Sequence, residues 1–222
     1  MSLDGLQRQI GYQFKDSALL KQALTHRSFA SKNNERLEFL GDAALNYIVA
    51  HQLYIRFNKL PEGDLSRLRA QLVKESSLFE IAQKLHLGDF LKLGEGELKS
   101  AGWRRPSILA DALEAIVGAT YLDGGHEAME QVVLKLYADK LDTIDPKVID
   151  KDPKSLLQEF LQSKKMDLPE YQVSNIEGEA HAQTFQVSCN INKLNIHTTG
   201  EGTSRRAAEQ HAAQLALEHI AK

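Results

Sequence analysis

Cysteine is almost missing from this chain: Cys189 is the only one in 222 residues. A single thiol excludes a disulfide framework and any zinc site built from several thiolates, and it suits a reducing compartment. Long apolar runs are missing too, so no segment approaches the length of a membrane span. The opening residues Met1-Ser2-Leu3-Asp4-Gly5 lack a basic-then-apolar leader pattern. The expected location is therefore cytoplasmic, with no membrane partner. Charge of one sign is absent as well: 27 Lys+Arg against 30 Asp+Glu leave a net −3. Cutting the chain near residue 150 leaves both parts near neutral, with 8 basic and 9 acidic residues from 151 onward. Bulk charge gives no support for a polyanionic partner, and any such binding rests on local clusters. What is present is ordinary for a globular protein, 42% hydrophobic and 26% charged residues, enough for one large domain or two modest ones.

The first two thirds read as helix throughout. Leu3 to Tyr12 is amphipathic, and Asp16-Ser17 offers an N-cap for a helix from Ala18 to Leu24. Thr25-His26-Arg27-Ser28-Phe29 leads into a long helix from Asn34 to Tyr54, in which Leu37, Leu40, Ala44, Leu45 and Ile48 recur at helical intervals. His26 fits a structural hydrogen-bonding role as well as a functional one. Pro61-Glu62-Gly63-Asp64 signals a turn and N-cap before a helix from Leu65 to Glu75, where Arg67, Arg69 and Lys74 form a basic side that suits solvent. Ser77 to Leu85 is a further helix. Leu91 to Arg105, with three Gly, the paired Arg104-Arg105 and the only Trp, reads as a surface loop or short-turn segment that could lie against a phosphate backbone, but it lacks the Gly-Lys-Ser/Thr ending of a Walker A loop. Pro106 opens a strongly apolar helix to Tyr121. Asp123-Gly124-Gly125 ends it, and Glu127 to Leu141 forms one more.

Two groups of carboxylates stand out. On the long helix, Glu35, Glu38 and Asp42 fall at i, i+3 and i+7, along one stripe. Such a stripe is either a solvated acidic face or a set of ligands for a divalent cation, which compensates carboxylates on a half-buried helix. Asp111 and Glu114 lie i, i+3 on a helix with little solvent-facing surface. Buried salt bridges would explain them, as would a metal site shared with the first stripe.

Asp142 to Pro153 is rich in Asp, Lys and Pro and reads as a linker. Beyond it the period changes. A helix from about Lys154 to Lys164 precedes three alternating segments, Tyr171 to Ile176, Thr184 to Ile191 and Leu194 to Thr199, with Phe185, Val187, Cys189 and Ile191 on one face. Asn192-Lys193 reads as a tight hairpin turn, and a closing helix runs from Thr203 to Ile220. The expected architecture is a multi-domain chain: an all-α domain over 1–142, a linker over 143–153 and a small α+β domain of order α-β-β-β-α over 154–222.

Asn34-Glu35-Arg36-Leu37-Glu38-Phe39-Leu40-Gly41-Asp42 matches without substitution the signature of the bacterial ribonuclease III family, which the chain resembles over essentially its whole length. Pro61 to Ser66 and Ser107 to Ala115 resemble its two other acidic segments, and the C-terminal part resembles a double-stranded RNA-binding domain. The resemblance implies a metal-dependent endonuclease domain in which Glu38, Asp42, Asp111 and Glu114 hold Mg²⁺, with Mn²⁺ as a substitute. Glu35 and Glu62 become outer acidic residues of the catalytic set. It further implies double-stranded RNA as substrate, processing of ribosomal RNA precursors and other structured transcripts, and products with 5′-phosphate, 3′-hydroxyl and short 3′ overhangs. Gln158, Glu159 and His181 would reach minor grooves, and Ser204, Arg205 and Arg206 would hold phosphates at a helix start, where backbone N–H groups favour anions. A homodimer is implied, with Phe39 packing across the interface rather than in an ordinary core. No organic cofactor is implied. Ala101 and Trp103 stand where the family often has Gly and Phe, and His211 where Ala is usual.

This agrees with the chemistry of the residues. Hard cations take oxygen ligands and bind phosphate at once, and a metal pair activates water for in-line displacement at phosphorus. No Ser/His/Asp or Cys/His arrangement competes with it. A catalytically silent RNA-binding relative would have lost acidic residues, and all six are present. A carboxylate-bridged oxidase would need Glu-x-x-His pairs, which both acidic helices lack.

Overall fold

The structure, a computed structural model, describes residues 2–146, 152–178 and 183–220. The chain divides into two compact units, Met1–Ile149 and Asp150–Lys222.

The first unit is helical: α1 (Leu3–Ile10), α2 (Ser17–Ala23), α3 (Glu35–Arg56), α4 (Glu62–Val73), α5 (Glu75–Lys84), the short α6 (Glu95–Lys99) and α7 (Pro106–Thr143). Asp16 caps α2 by accepting from the Ala18 N–H at 2.8 Å, and Pro106 sits in the first turn of α7. Two helix starts differ from expectation. α4 begins at Glu62 rather than Leu65, because Pro61 serves as the extended N-cap residue and the acidic turn fills the helix start, where N–H groups are free. α5 begins at Glu75, not Ser77. α7 is two helical stretches that meet at a kink where Asp123-Gly124-Gly125 is expected to end the first: Gly125 leaves helical geometry, at φ 77° and ψ −171°, a conformation glycine adopts without a Cβ clash. The segment Leu91 to Arg105 takes the short-turn alternative: it holds α6 and a 3₁₀ turn over Gly102–Arg104. Ala101 there has φ 55°, so the family's usual glycine is the unstrained choice at this position.

The N-terminal half of α7 is the centre of the unit. Leu109, Leu113, Ile116 and Val117 are buried, and they meet Leu37, Leu45, Ile48 and Val49 of α3 in one core. Each such side chain contributes roughly 1.5–3 kcal/mol of burial. Two glycines set how near the helices come. A Cβ on Gly41 would lie 1.8 Å from the Glu114 carbonyl oxygen, and one on Gly118 would lie 2.2 Å from that of Leu37. Backbone therefore touches backbone where α3 crosses α7. Asp123 anchors the N-terminal segment to α7: it accepts from Tyr12 Oη at 2.7 Å and from the Lys15 and Asp16 N–H groups at 2.8 and 2.9 Å.

The second unit follows α8 (Pro153–Ser163), β1 (Glu170–Glu177), β2 (Thr184–Ile191), β3 (Ile196–Gly202) and α9 (Arg205–Ile220), with the sheet antiparallel in the order β1-β2-β3. The expected order α-β-β-β-α is thus observed. Val187, Cys189 and Ile191 alternate inward as the period of two requires, and Cys189 and Ile191 pack with Leu157, Leu161, Ala212 and Ala216. The β2–β3 turn is longer than two residues: Asn192–Leu194 form a 3₁₀ turn and Asn195 takes φ 52°, so β3 starts at Ile196. His211 is exposed, which explains why a residue larger than Ala fits, and its Nδ1 accepts from the Glu201 N–H at 3.0 Å.

Candidate metal centre and RNA-facing residues

The close crossing of α3 and α7 brings their carboxylates together. Glu38, Asp111 and Glu114, all partly buried, each offer an oxygen within 4.8 Å of the others. Among the described residues none of the three has an ion pair or a hydrogen-bonded cation, so the buried salt bridges that would have explained Asp111 and Glu114 are not there. Burial pushes Glu114 up to about 8, and the charges of Asp42, Asp111 and Glu38 add to it. Burial also raises Glu38, helped by Asp111 and Glu35. Asp111 is raised by burial and then by the Glu75 charge, with His26 and Arg27 pulling the other way. Mutually repelling carboxylates with no ion-pair partner among the described residues are a donor set that a hard divalent cation satisfies.

Asp42 stands just outside this group. It is exposed and accepts from Asn46 Nδ2 at 2.8 Å, yet its charge is the largest of those acting on Glu114. Glu35 lies at the rim, 3.4 Å from Arg27, in a cavity of about 310 Å³ that Glu38 and Asp111 also line. Glu62 does not join the cluster within one chain. It accepts from Ser66 Oγ at 2.6 Å and lines a separate cavity with Tyr47, His51 and Tyr54. Phe39 is 80% exposed, which rules out the ordinary core role, and it borders an apolar cavity of about 640 Å³ with Leu19, Leu37, Leu40 and Leu122.

In the second unit Gln158 and Glu159 are exposed on α8. Ser204 Oγ accepts from the Ala207 N–H at 3.2 Å, and Arg205 and Arg206 project from the first turn of α9. Arg205 Nε donates to Glu209 at 2.9 Å. His181 lies outside the described residues. Sequence reasoning passes over Gly41, Gly118, Glu75 and Asn34. A glycine inside a helix, which costs about 1 kcal/mol against alanine, is the available signal for the first two. The sequence pattern puts Glu75 at the end of the preceding helix, so its nearness to Asp111 is not legible there.

Residues 16–141 match the model of the ribonuclease-III-like family, and residues 153–220 match the double-stranded RNA binding motif. The chain is 58% identical to Ribonuclease 3 of Cupriavidus taiwanensis over 222 residues, 100% of this chain and 87% of the relative. It is 57% identical to Ribonuclease 3 of Aromatoleum aromaticum over 220 residues, 99% and 98% of the two chains. Among solved structures, the nuclease domain of ribonuclease III from Campylobacter jejuni superposes with a TM-score of 0.62 at 48% identity, covering 65% of this chain and 99% of that one. A second structure of that domain, described for flexibility in a region involved in dimer formation, gives 0.61 at 49%, covering 62% and 97%.

Proposed function

This chain belongs to the ribonuclease III family, a metal-dependent endoribonuclease acting on double-stranded RNA, and on that premise we propose how its residues divide the work. Glu38, Asp42, Asp111 and Glu114 hold a pair of Mg²⁺ ions, which Mn²⁺ can replace. The observation that carries this is the trio of half-buried, unpaired carboxylates with oxygens within 4.8 Å, one of them raised to about 8. When bound, the metal ions supply Lewis acidity toward the attacking water and the leaving 3′-oxygen of an in-line displacement. The protein's own part is positioning. Backbone contact at Gly41 and Gly118 fixes the distance between the two pairs of carboxylates, and the apolar flank of α7 keeps Glu114 partly dry. Glu35 and Glu62 serve as outer acidic groups, Glu35 on the cavity rim and Glu62 on a separate surface. Products carry 5′-phosphate and 3′-hydroxyl ends with short 3′ overhangs, and the substrates are ribosomal RNA precursors and other structured transcripts in the cytoplasm. No helix is long and apolar enough to cross a membrane.

The RNA-binding unit reads duplex shape. Gln158, Glu159 and His181 reach minor grooves, and Ser204, Arg205 and Arg206 hold phosphates at the α9 start. The active form is a homodimer in which Phe39 enters the partner copy's apolar cavity. An 80% exposed phenylalanine beside a cavity of leucines supports this. Phe39→Glu is expected to sediment as a monomer, and an unchanged dimer would remove Phe39 from the interface.

The central test is a labelled RNA duplex incubated with Mg²⁺ and either the natural chain or Glu114→Ala. The natural chain is expected to cleave, and the variant to lose at least about a hundredfold in rate, the scale of removing a charge-stabilising group from a site. Equal cleavage by both would discard the site.

A further inference from the structure

Asn34 immediately precedes α3 and its residue is 2% exposed. Its backbone is fully used: the N–H donates to the Thr25 carbonyl, and the carbonyl accepts from Leu37 and Glu38. Its side chain makes no capping bond, and among the described residues Nδ2 is closed off from solvent without a partner. A short polar side chain at a helix start ordinarily caps the free N–H groups. Asn34 does not, because its backbone is already helical, at φ −87° and ψ −15°, and it makes no capping bond. A buried donor left unmade costs about 1–3 kcal/mol. That cost has no structural return in the unliganded chain.

The residue lines the cavity it shares with Glu38 and Asp111. Carboxylates occupy one side of that cavity, while Arg27, Arg105 and Ser107 add donors to its wall. The two arginines are already matched, Arg27 by Glu35 at 3.4 Å and Arg105 by Glu97 at 3.0 Å. Among the described residues, the Asn34 Nδ2 is the buried side-chain donor of this wall with no match.

We propose that Asn34 is a positioning residue whose amide donates to a non-bridging oxygen of an RNA phosphate adjacent to the scissile one. This rests on the metal-site reading above, since it takes the cavity beside Glu38 and Asp111 as the path of the cleaved strand. The contact forms when the carboxamide turns into the cavity about one side-chain torsion. That motion breaks no hydrogen bond of Nδ2, which has no partner among the described residues. A neutral amide suits the place: it donates to phosphate without adding a cation that would compete with the metal for Glu38.

The test compares the natural chain with Asn34→Leu, near in size and without the donor, on a duplex with a defined cleavage point. Thermal unfolding without RNA is measured beside the kinetics. The variant is expected to unfold at the same or a higher temperature, because an unpaired buried donor is gone. Its kcat/KM is expected to fall about 10- to 100-fold, the range for one hydrogen bond to a charged group. The second readout is a duplex with a single phosphorothioate at each phosphate flanking the scissile one. Sulfur at the contacted oxygen should slow the natural chain and leave Asn34→Leu unaffected. Cleavage by Asn34→Leu at the natural rate, or equal sulfur effects in both proteins, overturns the proposal. A variant that unfolds early as well as cleaving slowly also overturns it, since the amide would then serve the fold. Failure of the natural chain to cleave at all would fault the metal-site reading instead.

Discussion

Glu114 on α7 and Glu209 on α9 are both carboxylates on helices packed into the core of their unit, and they are shifted in opposite directions. Glu209 accepts from Lys154 Nζ at 2.6 Å and from Arg205 Nε at 2.9 Å, and those bonds hold it below its ordinary value against the effect of burial. Asp152 beside it is lowered too, because bonds from Ser155 and Gln210 outweigh its burial. Glu114, with no donor, is pushed up to about 8. The second unit uses its charges to tie α8 to α9. The first leaves Glu38, Asp111 and Glu114 without an ion pair among the described residues, at a cost to its own stability that a bound cation would offset on the function proposed above. A buried carboxylate is thus a brace or a ligand according to whether the fold supplies its partner.

The largest way to break this contrast is through the backbone that imposes it. Gly41→Ala should destabilise the first unit by about 3 kcal/mol, the upper range for overpacking, because the new methyl meets a carbonyl and no side chain can step aside. Denaturant titration reads the loss, and a midpoint within error of the natural chain would mean that α3 and α7 do not cross this closely.

Next in size is an exchange of stability with pH. Glu114 has a folded value near 8 against an ordinary 4.5. Between those values the folded chain keeps a proton that the unfolded chain has released. Stability from this group is therefore fully present below about 4.5 and falls as pH rises to about 8. Glu209 behaves oppositely: its contribution is present above the ordinary 4.5 and is lost as pH falls through its lowered folded value. In metal-free buffer Glu114→Gln should raise Tm at pH 8.5 and change little at pH 5. Glu209→Gln should lower stability by about 1–3 kcal/mol at neutral pH, through the loss of charge-assisted bonds. Mg²⁺ should raise the Tm of the natural chain more at pH 8.5 than at 5.5, with proton release on binding. Parallel responses of the two variants would erase the distinction drawn between the units.

Smaller in energy is the RNA-facing end of the second unit. Arg205→Ala with Arg206→Ala should weaken duplex binding and reduce the slope of log K against log salt by about one for each phosphate that is no longer neutralised. Unchanged binding across a salt series would remove the α9 start from the RNA surface.

How far these features are legible in the sequence varies with how local they are. Alternation at Val187, Cys189 and Ile191 and the helical spacing on α3 and α7 are readable, because each depends only on near neighbours along the chain. The capping of α2 by Asp16 is equally plain. Helix starts at Glu62 and Glu75 escape notice where a proline and a lysine, rather than a capping side chain, precede the first turn. The break at Gly125 is legible, because two adjacent glycines after an aspartate mark it locally. The acidic stripe on α3 stays ambiguous between solvent face and ligand set, since its bearing depends on how closely Glu38 approaches Asp111 and Glu114 on another helix, a fact of tertiary packing. Nothing in the spacing separates Glu62 from the other acids, yet it faces another cavity. The unmade bonds of Asn34 cannot be read from the sequence at all.

Asp123 has a bearing on how the chain is made. Its three bonds to Tyr12, Lys15 and Asp16 span 107 to 111 residues. During synthesis from the N-terminus none of them exists until α7 is more than a third complete. The first two helices therefore leave the ribosome with their anchor unmade, and the segment that holds the carboxylates of α3 waits for the same helix. The unit closes late and all at once, around the last long element to appear.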